Sequence, residues 1–270
     1  MAIKLIATDL NGTLLHGDQS YNRSLLQQVL TTLHDQGIQL VLSSGNQYEH
    51  LKQLFAGLPM DNLVMVAENG ASIFKQDQQL FDGSLSTEQL HQFVTVDRKQ
   101  DLFKHAYLIL VGAHGSYTET GAPQALLDAA AKFYDNLQQV DDLATVDDAI
   151  KKISVSTTPD EAADLVQALN TYFDGRLQAH DSGYGVIDLV NAGVGKLPAV
   201  QWLMQQWHVV ADEVMAFGDG DNDVPLLRFA KQSYAMINAS AAVQAVAAHV
   251  TQLDNEHDGV LTTIQATLAE

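Results

Sequence analysis

Four short apolar runs, each ending at a cluster of small, amide or acidic residues, constrain this chain more than any other feature. Ala2–Ala7 is apolar apart from Lys4 and breaks at Thr8-Asp9. Ile38–Leu42 runs straight into Ser43-Ser44-Gly45-Asn46, and Leu63–Ala67 into Glu68-Asn69-Gly70. Val214–Phe217 ends at Gly218-Asp219-Gly220-Asp221-Asn222-Asp223. None alternates polar with apolar, which is how strands buried on both faces of a parallel sheet read. Helical spacing fills the gaps. Leu25, Leu26, Val29, Leu30 and Leu33 mark a helix over 21–36, capped by Ser20 or Asn22 and ended by Gly37. Leu51, Leu54 and Phe55 mark another over 47–56. Strand, helix, strand, helix, strand predicts a doubly wound α/β core with a parallel sheet and right-handed crossovers.

The rhythm changes in the middle of the chain. A short hairpin over 72–81 leads into helices over 87–96, 123–134 and 159–173. Strands are expected over 106–111, 152–156 and 176–179, with a turn at Gly112–Gly115. This stretch, residues 82–187, reads as an inserted α+β domain, and residues 1–81 with 188–270 as the core. Val186–Val190 is expected to lead back into the core. There follow a helix from Gly195-Lys196 to Gln206 with Pro198 in its first turn, helices over 224–230 and 241–248, a strand over 233–236 and a terminal helix over 259–268. Asp141, Asp142, Asp147 and Asp148 read as a solvated acidic loop.

Charge and composition exclude several classes. A net charge of −19 argues against nucleic acid and against anionic membrane surfaces. The absence of cysteine removes disulfides, zinc–thiolate sites and thiol nucleophiles. The opening run is no signal peptide, and no stretch nears the ~18 apolar residues of a membrane span. The expectation is a cytoplasmic protein, a monomer or small homo-oligomer, acting on a small molecule.

The chemistry sits where the strands end. In a parallel sheet, Asp9, Ser44 and Asp219 fall along one carboxyl edge, with neighbouring strands ~5 Å apart. Their oxygens suit a hard cation, and Mg²⁺ is the usual one at a phosphate site. Ser44 and Lys196 add a hydroxyl and a cation for phosphoryl oxygens. A carboxylate, Mg²⁺ and a fixed lysine make a phosphoryl-transfer site of the aspartyl-phosphate kind. Two rival motifs fail. Read as an EF-hand, the stretch from Asp219 would place Val224 at position six and Ala230 at position twelve, where Gly and Glu belong. Gly193-Val194-Gly195-Lys196 lacks the Ser or Thr and the glycine spacing of a phosphate loop.

Taken in order, the motifs resemble the haloacid dehalogenase superfamily. Asp9-Leu10-Asn11-Gly12-Thr13-Leu14-Leu15 is similar to its first motif, Ser44-Gly45 to its second, Lys196 to its third and Gly218–Asp223 to its fourth. Glu68-Asn69-Gly70-Ala71, Ser43–Tyr48 and Ser182–Leu189 look like the Cof-type branch, in particular its sugar phosphatases. The resemblance implies a Rossmann-like core with an α/β cap of the C2 type inserted after the third strand. It implies Asp9 as nucleophile, and Mg²⁺ held by Asp9, the main-chain carbonyl of Asn11 and Asp219, with Asp223 in support. Ser44, Lys196 and Asn222 would meet the phosphate, with Gly12 and Gly45 in the same substrate-binding set. His114 and Tyr184, on loops of the cap closing over the sugar, would select the leaving group. The activity implied is that of a Mg²⁺-dependent phosphatase of small phosphorylated metabolites, sugar phosphates above all.

One position departs from the pattern. Phosphatases of this family carry Asp two residues after the nucleophile, as the group that protonates the leaving alcohol and then activates water. Here that position is Asn11, and an amide cannot shuttle a proton. Losing a positioned acid–base group typically costs ~10² to 10⁴ in rate. The alternatives are a phosphosugar-binding or sensing protein with impaired turnover, or a phosphotransferase.

Overall fold

The computed structural model describes residues 2–59, 61–100, 107–131, 134, 136–182 and 185–269. It divides into two compact units, Met1–Phe81 with Gly195–Glu270, and Asp82–Val194. The chain opens with β1 (Leu5–Thr8), α1 (Arg23–Asp35), β2 (Gln39–Ser43), α2 (Tyr48–Leu54), β3 (Leu63–Ala67), β4 (Ser72–Lys75) and β5 (Gln78–Asp82). It continues through α3 (Thr87–Gln100), β6 (Tyr107–Gly112), β7 (Ser116–Glu119), α4 (Gln124–Ala130), β8 (Leu137–Val140), β9 (Ile150–Ser156), α5 (Pro159–Phe173), β10 (Leu177–Asp181) and β11 (Val186–Asn191). It closes with α6 (Lys196–Trp207), β12 (Val214–Gly218), α7 (Val224–Phe229), β13 (Gln232–Ala235), α8 (Ala241–Gln244), β14 (His249–Val250) and α9 (Gly259–Leu268).

The first unit is an eight-stranded sheet in the order β14-β13-β12-β1-β2-β3-β4-β5. Every pairing from β14 to β3 is parallel, and β4 turns back antiparallel on β3. The apolar runs explain both faces. Ile6, Leu40, Leu42, Met65 and Phe217 pack on α1 and α9 through Leu26, Leu30, Leu33 and Ile264. Leu5, Ala7, Val41, Val66 and Ala216 pack on α6 and α7 through Val200, Leu203 and Leu227. The Asn22 side chain caps α1, accepting from Leu25 N at 3.1 Å, so the helix starts two residues inside the expected range.

The second unit is a six-stranded sheet in the order β10-β11-β9-β6-β7-β8. One face is apolar, with Leu108, Leu110, Ile153, Val155, Ile187 and Leu189 under Phe93 of α3 and Leu169 and Phe173 of α5. Here the structure corrects the sequence reading. The strand over 186–191 pairs antiparallel with β9 and β10, so it is the last strand of the second unit, which extends to Val194 instead of ending at residue 187, and the chain re-enters the first unit at Gly195. The helix expected over 123–134 covers only Gln124–Ala130, and that expected over 241–248 only Ala241–Gln244. Strands β7 and β8, polar in sequence, were not expected; pairing with neighbours makes them strands. Asp148 is not solvated either: its side chain is 1% exposed. Among the described residues, no helix is long and apolar enough to cross a membrane.

Candidate active site

In the first sheet the chain leaves β1 toward β2 on one side and later returns to β12 on the other. That reversal is the switch point of a doubly wound sheet, where the carboxyl ends of two strands diverge and leave a crevice. Asp9 follows β1 and Asp219 follows β12, and Thr8 lies in register with Phe217. The two carboxylates are therefore neighbours. Asp9 N donates to Phe217 O at 3.1 Å, while Thr13 N and Leu15 N both return to Leu10 O, folding 9–15 into a tight loop. Gly12 holds φ at +74°, and a Cβ there would lie 2.4 Å from Asp219 Oδ2. Only glycine lets the loop come so close. Thr13 Oγ1 donates to Asp219 Oδ1 at 2.7 Å.

Lys196, the first residue of α6, is buried at 4% exposure. Its Nζ donates to Asp9 Oδ1 at 2.5 Å and to Asp223 Oδ1 at 2.7 Å. The other oxygen of Asp223 accepts the main-chain N–H groups of Asp219 and Gly220, both at 3.1 Å. Asp223 thus shapes the loop that carries Asp219. Asp9, Asp219 and Asp223 each offer a ligand oxygen, all within 4.8 Å of one another. Among the described residues one ammonium, bonded to Asp9 and Asp223, faces three carboxylates, so the site is negative. Burial pushes the Asp9 carboxyl up to about 7; Lys196 opposes the rise, and the charges of Asp223 and Asp219 add to it. Asp219 is raised as well, chiefly by burial and against the pull of Thr13. Lys196 is raised, because Asp223 and Asp9 outweigh its own burial. A hard divalent cation fits this oxygen-only set and would relieve the excess charge.

The remaining residues fall into groups. Ser44, just past β2, is buried at 1% exposure; its Oγ accepts from Asn46 N at 3.1 Å and its carbonyl from Asn69 N at 2.9 Å. Gly45 lies against the Asn69 side chain. Glu68 and Asn69 both take positive φ, and Gly70, at φ +103°, touches Gly195, the residue before Lys196. This second turn therefore braces the start of α6. Asn222 is half-buried between Asp221 and Asp223, and Asn11 is exposed. His114 lies in the other unit, on the β6–β7 turn, with Nδ1 2.9 Å from Asp148 Oδ1. Tyr184 lies outside the described residues. Sequence reasoning quoted Thr13 only as part of a motif and missed its bond to Asp219; a hydroxyl one residue after Gly12 was the available signal.

Comparisons with known proteins agree with this geometry. The haloacid dehalogenase-like hydrolase family model matches residues 6–264. The chain is 32% identical over 268 residues to 5-amino-6-(5-phospho-D-ribitylamino)uracil phosphatase YbjI of Escherichia coli (strain K12), covering 99% of this chain and 97% of that one. It is 25% identical over 265 residues to the phosphatase YitU of Bacillus subtilis (strain 168), named for the same compound, covering 95% and 94%. Among solved structures, SMU.1108c from Streptococcus mutans UA159 superposes with a TM-score of 0.93 at 31% identity over 100% of both chains. Nearly the whole chain is matched, with the carboxylate cluster at the switch point of its sheet, and the chain belongs to the haloacid dehalogenase-like hydrolase superfamily.

Proposed function

We propose that this hydrolase is a Mg²⁺-dependent phosphatase of small phosphorylated metabolites, sugar or sugar-alcohol phosphates, working through an aspartyl phosphate on Asp9. The observation that carries the reading is the buried cluster in which Lys196 bridges Asp9 and Asp223 beside Asp219. It is a phosphoric monoester hydrolase of its superfamily, and a Cof-type member with a C2 cap in residues 82–194. The substrate class rests on the names of YbjI and YitU, whose compound carries its phosphate on a ribityl arm.

Asp9 attacks phosphorus, the ester P–O bond breaks, and the leaving alkoxide must take up a proton. Water then attacks the aspartyl phosphate, releasing inorganic phosphate and restoring Asp9. Lys196 holds Asp9 and Asp223 in place and supplies positive charge for the phosphoryl oxygens; the Ser44 hydroxyl and Asn222 add hydrogen bonds. Asp9, Asp219 and the main-chain carbonyl of Asn11 would hold Mg²⁺, which, when bound, offsets charge on the transferring group. Asn11, exposed at the loop, binds but moves no proton. Both proton transfers therefore fall to solvent or substrate, and hydrolysis of the intermediate is the slow step.

Asn11 also favours a second reading, a phosphosugar-binding protein with little turnover. Phosphate release from a panel of sugar and polyol phosphates with Mg²⁺ separates the two when the chain is compared with Asn11→Asp. Slow release, rising ~10² to 10⁴-fold in the variant, is expected. Equal rates would show that another group carries the proton, and tight binding without release would favour the sensor.

A further inference from the structure

Just past β13, the turn Met236–Ala239 is held far more firmly than an exposed turn requires. Met236 N donates to Gly218 O at 3.0 Å, Ala239 N to Met236 O at 3.0 Å, and Ile237 N to Thr251 Oγ1 at 3.1 Å. The single amide of Gln244 reaches the carbonyls of Ile237 at 2.8 Å and Ala239 at 3.0 Å. At the top of this turn Asn238 is exposed, yet its side chain is used at both ends. Its Nδ2 donates to Gly12 O at 2.8 Å, and its Oδ1 accepts from Asn255 N at 3.4 Å. Asn255, buried at 9% exposure, donates through Nδ2 to Leu15 O at 2.9 Å. Two amides from the last quarter of the chain thus hold two carbonyls of the loop that follows Asp9.

We infer that Asn238 is a positioning residue for the cation-binding end of the site, a role that rests on the proposed use of Mg²⁺. The peptide it grips joins Gly12 to Thr13. Gly12 packs on the Asp219 carboxylate, and Thr13 Oγ1 donates to it at 2.7 Å. The same peptide follows Asn11, whose carbonyl belongs to the proposed ligand set. Turning this peptide moves the Thr13 hydroxyl off Asp219 and re-aims the Asn11 carbonyl together. A glycine at φ +74° does not resist such a turn by itself, since positive and negative φ are both open to it. The Asn238 amide supplies the missing restraint. An exposed hydrogen bond adds little to folding, so its loss shows in metal geometry more than in stability.

Asn238→Ala tests this, with Mg²⁺ binding measured by calorimetry on the substrate-free enzyme, beside thermal unfolding and the kcat and KM of phosphate release. The Mg²⁺ Kd is expected to rise about 3- to 10-fold, the reach of one net hydrogen bond, with Tm within about 2 °C and kcat falling more than KM changes. Gln244→Ala, which loosens the turn without touching the loop, is expected to move Kd the same way by less. Wild-type Mg²⁺ affinity in Asn238→Ala would overturn the inference, as would a weakened affinity matched by a large fall in Tm, the mark of a merely structural bond. If the unaltered chain itself binds no Mg²⁺, the metal reading of the proposed function fails and takes this inference with it, a result distinct from either of the others.

Discussion

Each compact unit buries a lysine against carboxylate, one such group in the second unit and several in the first. In the second unit Lys152 Nζ lies 2.8 Å from Asp188 Oδ2, at 6% and 3% side-chain exposure. Asp188 also accepts from Ser154 at 2.5 Å and Ser182 at 2.9 Å. Among the described residues the ammonium meets this carboxylate, and two serine hydroxyls donate to the same group. Burial acts to raise the Asp188 carboxyl, but Lys152 and the two serines hold it below the usual carboxylate range. In the first unit Lys196 faces Asp9 and Asp223 with Asp219 close by, and Asp9 is pushed up to about 7. Both lysines are buried with their bonded carboxylates; the number of carboxylates around them differs. A hydrogen-bonded ion pair fixes strands in register, whereas a site with surplus negative charge has affinity for a cation.

Breaking the balanced pair has the largest expected effect on stability. Asp188→Asn removes the carboxylate 2.8 Å from buried Lys152 and should cost about 3–5 kcal/mol, read by urea unfolding. A loss under about 1 kcal/mol would mean that water reaches the pair. The surplus site responds with the opposite sign. Asp9→Asn removes one carboxylate from an over-negative cluster, so the metal-free protein should gain roughly 1–2 kcal/mol at pH 8 while losing activity; destabilisation there would show the cluster is already balanced.

The smallest effect is the slope of stability with pH, which differs in sign between the sites. Between its ordinary value of 3.8 and about 7, folded Asp9 keeps a proton that the unfolded chain has released. Its contribution therefore falls as pH rises through that window and is flat above it. Asp188 is lowered, so its contribution is complete above 3.8 and is lost as pH falls through its folded value. Thermal unfolding of the metal-free protein from pH 8 to pH 5 should show a rise in Tm that Asp9→Asn removes. An unchanged slope in that variant would place the titrating group elsewhere.

The first unit was legible because its signals are local. The run Leu63–Ala67 matches β3 residue for residue, and Gly259–Leu268 matches α9. The ends of such strands lie on one edge whatever the rest of the chain does, and the structure does bring Asp9, Asp219, Asp223 and Lys196 together. The second unit was legible in class but not in detail, because its signals are relational. Ser-Tyr-Thr-Glu over 116–119 becomes a strand only beside β6 and β8. The run over 186–191 reads as a strand from its residues, but nothing in it says which sheet it joins. Asp148 looked solvated beside Asp147; it is buried because Gly112 lies against it, where a Cβ would clash, and His114 and Tyr117 bind it. Asn238 was invisible for the same reason. Its partner Gly12 lies 226 positions away, and no local pattern marks a surface amide as one that holds the loop after Asp9.

The most direct test of the account is to look for the phosphoenzyme itself. The chain is mixed with Mg²⁺ and a radiolabelled sugar phosphate, quenched in acid within the first turnovers, and its labelled peptide mapped. The account predicts label on Asp9 that accumulates toward one per chain, because Asn11 leaves hydrolysis slower than transfer, and that disappears in Asp9→Asn. Sustained phosphate release with no label on Asp9 at any time would contradict it.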